Sequence, residues 1–343
     1  MSKKLILFLK VPYTMNKTLG LLVCLLLLLT FGFLSIAYGS RNIDLYTVWQ
    51  SFAAFDGASA DHLIVRNTRL PRTLVAAAVG AALAVAGAVM QTVTRNPLAS
   101  PSIFGVNAGA ALFIIIAIMA FGAESQGQFL WFAFLGAALA AGAAYGLGSV
   151  GRGAGSPINI TLAGAAVTAF ASSITQGVML VNGRTFDQIV FWLVGSVAGR
   201  EMPMLLPVLP FLALGALVSF SLAAPLNTLA LGEDVARGLG QRVGAVKLAA
   251  AAAVVLLAGA SVAVAGPIAF VGIVVPHLAR FVAGRDHRWL LPYCALLGSV
   301  LLLGADVLAR FVAMPDELPV GVVTALIGVP FFVWVARRNV HAS

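Results

Sequence analysis

The chain has 343 residues, 61% of them hydrophobic and 10% charged, with a mean hydropathy of +1.01 and a formal net charge of +9. Soluble globular domains hold about 45–50% apolar and about 25% charged residues, so this composition cannot cover a water-exposed surface. It excludes a disordered chain, a fibre and a disulfide scaffold, and describes an all-α integral membrane protein. A spanning helix takes about 20 apolar residues, which gives this length roughly nine to eleven spans. Residues 1–343 are read as one transmembrane domain, with no room for a separate catalytic or nucleotide-binding module. The apolar runs are long and continuous, not alternating, so they are helices and not barrel strands.

In chain order the predicted spans are 17–39, 70–94, 103–122, 129–149, 157–181, 203–223, 245–265, 268–284, 290–312 and 319–337. The first follows Lys3, Lys4, Lys10 and Lys17 and exceeds a signal-peptide core in length, so it is read as a retained span. Leu248 to Ala279 carries no charge, and the break there is placed at Gly266-Pro267, the strongest local breaker. Cys24 and Cys294 lie in apolar runs and are read as small buried hydrophobes. With the N-terminus inside, fourteen of the 21 Lys and Arg fall on cytoplasmic segments, which predicts both termini in the cytoplasm. The net charge then reflects topology and a lipid environment, not nucleic acid.

Gly105-x-x-x-Gly109 and Gly142-x-x-x-Gly146 are small-residue patterns suited to close helix packing. One segment echoes another. Ala84-Val85-Ala86-Gly87 is followed by Pro97 and Gly105, and Ala263-Val264-Ala265-Gly266 by Pro276 and Gly284 at the same spacings. The copies lie on spans of opposite direction, as in an inverted internal repeat, which is a feature of transporters.

No catalytic constellation is present. There is no phosphate-binding G-x-x-x-x-G-K-[ST] loop, and His62, His277, His287 and His341 lack metal-ligand spacing. Asp306 and Arg310 are the charges nearest a span interior and are read as an intrahelical ion pair. Carriers driven by protons or sodium usually place carboxylates at mid-membrane, so a transporter of this kind draws its energy from another chain. The longest polar loop runs from Pro225 to Val243. Leu229, Leu231, Val235 and Leu239 give it an apolar stripe broken by Gly232 and Gly238, while Glu233, Asp234 and Arg237 suit the dipole of a short helix. From the residues alone, such a helix lies on the membrane or docks in a partner's groove.

The loop Ala230-Leu-Gly-Glu-Asp-Val-Ala-Arg-Gly-Leu-Gly240 resembles the coupling segment of permease subunits of bacterial type II ABC importers for ferric siderophores, haem and cobalamin. Arg69-Leu-Pro-Arg-Thr73, Gly87-Ala-Val-Met-Gln91, Asn96-Pro-Leu-Ala99, Gly105-Val-Asn-Ala-Gly109, Gly266-Pro-Ile-Ala-Phe-Val-Gly272, Val275-Pro-His-Leu-Ala-Arg280, Asp306-Val-Leu-Ala-Arg310 and Glu317-Leu-Pro-Val-Gly-Val-Val-Thr324 agree, from about residue 60 onward. The resemblance implies about ten helices and a short cytoplasmic coupling helix pair within about 226–242. In that pair Leu231, Gly232, Glu233, Asp234, Ala236, Arg237, Leu239 and Gly240 meet the ATPase. It implies two ATPase subunits that hold ATP and Mg, a second permease, identical or paralogous, and a periplasmic substrate-binding protein. This chain itself then holds no cofactor or metal and has no catalytic residue. Arg69, Arg72 and Arg310 match positions that meet carboxylates of the binding protein, and Asn96, Pro97, Leu98 and Ser156 match the cytoplasmic gate. A bacterial inner-membrane location follows. Phe191-Trp192-Leu-Val-Gly195-Ser196 is more similar to the siderophore-type members, with haem, cobalamin and a stand-alone secondary carrier as the alternatives.

Overall fold

The computed structural model describes residues 16–39, 41–150, 156–182, 189, 192–312 and 316–340. Lys3, Lys4, Lys10, Arg152, Arg184, Phe191 and His341 lie outside the described residues. The chain begins with α1 (Lys17–Ala37), α2 (Leu45–Ala53) and α3 (Ala60–Ile64). A π-helical turn (Val65–Arg69) joins α3 to α4 (Leu70–Thr94). A 3₁₀ turn (Pro101–Phe104) precedes α5 (Val106–Phe121), then come α6 (Gln126–Gly148) and α7 (Pro157–Val181). The second half holds α8 (Met202–Leu205), α9 (Leu209–Ser221), α10 (Ala223–Ala230), α11 (Glu233–Gly238), α12 (Val243–Ala265), α13 (Val271–Ala283), α14 (His287–Val312) and α15 (Val320–Val340).

Every predicted span carries a helix, but the helices are not equal. Among the described residues six are long and apolar enough to cross a membrane, with the bent pair α9–α10 a seventh. The sequence places a span at 268–284, yet α13 is only 13 residues. At about 1.5 Å per residue it reaches about 20 Å, short of a hydrocarbon core of about 30 Å. The reason is local. The break at Gly266 is real, with φ 72°, and residues through Phe270, itself left-handed at φ 68°, stay out of the helix. The 70–94 run is longer than predicted, because the π turn carries it back without interruption to Ala60. The predicted 203–223 span ends in a 53° bend that turns α10 away from α9.

Helix starts follow side-chain capping. Asn16, Asp44, Ser59, Ser125 and Ser156 each accept a backbone N–H of the first turn, and Ser125 forms a reciprocal box with Gln128. The two copies of the echo share their spacing and left-handed glycines at 105 and 284, but not helix limits. Gly87 is inside α4 where Gly266 ends α12, and Pro97 is in a turn where Pro276 is inside α13.

α4 is the centre of the bundle and the most buried of the six spans, packed by α12, α13 and α14. Glycine makes the approach possible. A Cβ at Gly80 would lie 2.3 Å from the Gly298 carbonyl oxygen of α14, and one at Gly87 would lie 2.0 Å from that of Gly272 in α13. Gly109 similarly meets Gly136 of α6, whereas Gly142 and Gly146 face open space. Lipid tails are as apolar as leucine, so such backbone contact supplies much of helix association in a membrane. Cys24 and Cys294 are free and buried in this core. Gly80→Ala and Gly87→Ala should each destabilise the purified protein by about 1–3 kcal/mol through overpacking. Thermal unfolding in detergent reads this, with Gly146→Ala expected to match wild type.

Candidate functional site

The polar residues gather at two poles of the bundle. One holds the Pro225–Val243 loop, folded as two short helices. Leu226 and Leu229 of α10 are fully buried, so of the predicted apolar stripe Leu229 belongs to the core. Leu231 and Leu239 are each 68% exposed and Val235 49%, which leaves three apolar side chains four residues apart on the surface. Gly232, at φ 130°, takes a conformation that a side chain resists and separates α10 from α11, and Gly240 at φ 80° closes α11. Ala236 is the buried contact of α11. Glu233 turns back to Lys247 of α12 at 2.6 Å, and Arg237 reaches Glu233 at 3.1 Å and Asp234 at 3.2 Å. Burial alone would raise the Glu233 carboxyl. The Lys247 hydrogen bond and charge, with Arg95 and Arg237, outweigh it and hold the group below the usual carboxylate range. Its pairing therefore stabilises the fold above that range and is lost as pH falls through the lowered value.

The same pole holds the start of α1 and the 286–288 corner. Lys17 lies 5.8 Å over the Trp289 ring, and the Tyr293 hydroxyl donates to the Lys17 carbonyl at 2.7 Å. Arg95 is left-handed at φ 51° and ends α4. Asn96 Oδ1 then accepts the Leu98 N–H at 2.9 Å, which sets the Asn96-Pro97-Leu98 turn with Asn96 and Pro97 exposed. Ser156 caps α7 by accepting the Asn159 N–H at 3.3 Å. Further on, α7 packs against the 3₁₀ turn that follows, because a Cβ at Gly164 would lie 1.8 Å from the Ile103 carbonyl.

The opposite pole is built on Asp306. Its carboxylate accepts Nε and Nη2 of Arg72 at 2.8–3.1 Å, and also Nη2 of Arg310 one turn further along α14. Arg72 Nη1 continues to Glu317 at 2.5 Å. Arg310 donates to the Ser35 and Tyr38 carbonyls at 2.7 and 2.8 Å, and Arg69 to those of Ile36, Ala37 and Arg41. The expected Asp306–Arg310 pair is present, but a second guanidinium from α4 shares it, a contact across 234 residues that spacing cannot reveal. Arg69, Arg72 and Arg310 are 4%, 6% and 2% exposed, so each is committed inside this chain. More open cations at this pole are Arg41, paired with Asp61 at 2.9 Å, and Arg66, stacked 4.4 Å from the Phe55 ring centre. Arg200 is buried too, donating to Gln126 at 2.6 Å and to the Ser196 carbonyl at 3.2 Å, and burial lowers its pKa. Sequence reasoning missed the Lys247 tether and the joint of Asn227 with His287, because neither has a local signal. Among the described residues no group of His, Cys, Asp and Glu is arranged to hold a metal.

A bundle of apolar spans held by backbone contact, with an exposed tip on a bent helix pair, is that of a multi-pass membrane protein. The chain belongs to the FecCD transport family, whose model matches residues 26–338. It is 50% identical to YfiZ of Bacillus subtilis, a siderophore transport system permease protein, over 93% of this chain and 96% of that one. It is 45% identical to FhuB of the same organism, an iron(3+)-hydroxamate import system permease protein, over 95% of this chain and 85% of that one. Among solved structures it is similar to a metal-chelate type ABC transporter in an inward-facing conformation. The TM-score there is 0.81 at 28% identity, covering 93% of this chain and 98% of the other.

Removing Asp306 leaves buried Arg310 with no carboxylate and Arg72 with Glu317 alone. Asp306→Ala should cost about 3–5 kcal/mol, the usual penalty for breaking a buried pair. Arg41→Ala, at an exposed pair, should cost less than about 1 kcal/mol. Both are read by thermal unfolding in detergent.

Proposed function

We propose that this chain is the permease subunit of an ATP-driven importer that carries a ferric siderophore or similar iron chelate inward across the bacterial inner membrane. The carrying observation is the apolar tip of Leu231, Val235 and Leu239, exposed on a helix pair that Glu233 and Lys247 tether to α12. Exposed apolar side chains beside charged ones suit a protein groove better than water. Leu231, Gly232, Glu233, Asp234, Ala236, Arg237, Leu239 and Gly240 seat in the cleft of a separate ATPase subunit, two of which bind ATP and Mg. This chain binds no cofactor and hydrolyses nothing. The pole that carries Lys17, Arg95, Arg237 and Arg242 faces the cytoplasm, by the excess of basic residues there.

A second permease, identical or paralogous, pairs with this one, and the chelate moves between the two. The chain acts as one transmembrane domain. Closure of the ATPase pair moves the coupling helices, and the turns at Asn96, Pro97, Leu98 and Ser156 gate the inner end of the path. A periplasmic binding protein docks on the pole built around Arg69, Arg72 and Arg310. Since these three are bound inside the chain, they shape that pole from beneath, while Arg41 and Arg66 stand where a partner's carboxylates arrive. Rim cations of this kind steer encounter more than they tighten it. Similarity to siderophore permeases supports an iron chelate ahead of haem or cobalamin, and the family makes a stand-alone carrier the weaker reading.

Leu231→Asp with Leu239→Asp should weaken capture of the ATPase by at least about tenfold, as loss of buried interface anchors does. Co-purification and uptake assays read this, and undiminished capture and uptake would remove the coupling assignment. For the cargo, a deletion strain supplied with single iron sources should lose growth on ferric siderophores and retain it on haem.

A further inference from the structure

We infer that Asn227 is the positioning residue that ties the first coupling helix to the membrane core, acting through His287 and Thr92. This inference rests on the coupling role proposed above. Asn227 lies on α10, flanked by the buried Leu226 on one side and, two residues on, Leu229. Its Oδ1 accepts two hydrogen bonds from one residue, the backbone N–H of His287 at 2.8 Å and the ring Nδ1–H at 2.7 Å. Its Nδ2 donates to Asp286 at 2.6 Å. The three bonds fix the amide, because a backbone N–H requires an oxygen and a carboxylate requires a donor. They also fix the ring, whose Nδ1 must carry a proton. Asp286 supports the joint as an anion, since the Arg288 N–H and Asn227 hold its carboxyl below the ordinary range.

The ring's other nitrogen meets Thr92 Oγ1 of α4 at 2.7 Å. One imidazole, 3% exposed, thus joins three elements: α10, the first residue of α14, and the last turn of α4. The other attachments of α10 are of a different kind. Leu226 and Leu229 resist separation but set no direction, and Gln241 Nε2 holds only the Pro225 carbonyl, at 2.9 Å. Apolar contacts slide, whereas a side-chain amide with three short bonds has one orientation. A displacement of the tip therefore reaches the core along this joint. The two helices it enters, α4 and α14, are those in backbone contact at Gly80 and Gly298.

The test uses the complete importer, the permease pair with its ATPase pair reconstituted in vesicles and supplied with the chelate-loaded binding protein, with iron chelate taken up per ATP hydrolysed as the readout. Asn227→Ala should keep ATPase capture and hydrolysis while chelate moved per ATP falls by about tenfold, within the range of coupling between distant sites. Thr92→Val, which keeps the shape and drops the hydroxyl, should fall in the same direction, and Thr92→Ser should restore the wild-type ratio. If Asn227→Ala and Thr92→Val lower capture, hydrolysis and uptake in proportion, the joint is structural only and the inference fails. A wild-type ratio in both variants also overturns it. Failure of the reading beneath it looks different, because then the Leu231→Asp and Leu239→Asp chain captures the ATPase undiminished.

Discussion

Two glycine contacts on one helix set the geometry on which everything else depends. α4 touches α14 at Gly80–Gly298 and α13 at Gly87–Gly272, with no space for a methyl group at either. Gln91, one turn below Gly87, adds a hydrogen bond from Nε2 to the Gly272 carbonyl at 3.1 Å. Helices packed this closely gain dispersion along their whole length and cannot slide past one another without collision. At 25 residues α4 is about 37 Å long. It carries Arg72 at one end and Thr92 at the other, so a single rigid element serves both poles.

The charged residues acquire meaning from this frame. Burying an ion is costly unless it is paired and its remaining bonds are met. Asp306 satisfies that condition by holding a guanidinium from its own helix and one from α4; Arg310 adds carbonyls at the end of α1 but leaves its Nε without a partner, and Arg69 is held by carbonyls there alone. These arginines close the ends of α1, α4 and α14 together. At the other pole Glu233 and Lys247 do the same for α11 and α12. The paired charges at both poles are thus placed where helix ends must be joined.

Much of this was legible in the sequence, for reasons that also show its limits. Helix positions followed from apolar runs, the break at Gly266 from a Gly-Pro pair, and the short helix of Glu233, Asp234 and Arg237 from charges that suit its dipole. The 13-residue length of α13 was hidden, because hydropathy cannot distinguish an apolar residue in a helix from one in the extended stretch before it. The burial of Arg69, Arg72 and Arg310 was hidden as well. An arginine near a span end looks alike in sequence whether it faces water or a carboxylate 234 residues away. Asn227, Thr92 and His287 have no periodicity to betray them. They meet only because α10 bends 53° from α9 and comes to lie against the corner at 286–287.

The direction in which force can travel follows from the same contacts. The tip at Leu231 and Leu239 is exposed and apolar, and Gly232, at φ 130°, sets the angle at which it leaves α10. A local shift there cannot be absorbed at Asn227, whose amide has one orientation, nor at Gly80, where backbone meets backbone. Packed elements of this kind answer a push by moving as bodies, not by deforming. In the coupling role proposed above, a push entering at Thr92 and His287 would tilt α4 and α14 together. Because Arg72 and Asp306 clamp those same two helices at their far ends, the tilt arrives at the opposite pole as one movement. On this reading the near-absence of charge within the spans is a mechanical requirement as well as a solvation one, since mid-membrane ion pairs would pin the helices that have to move.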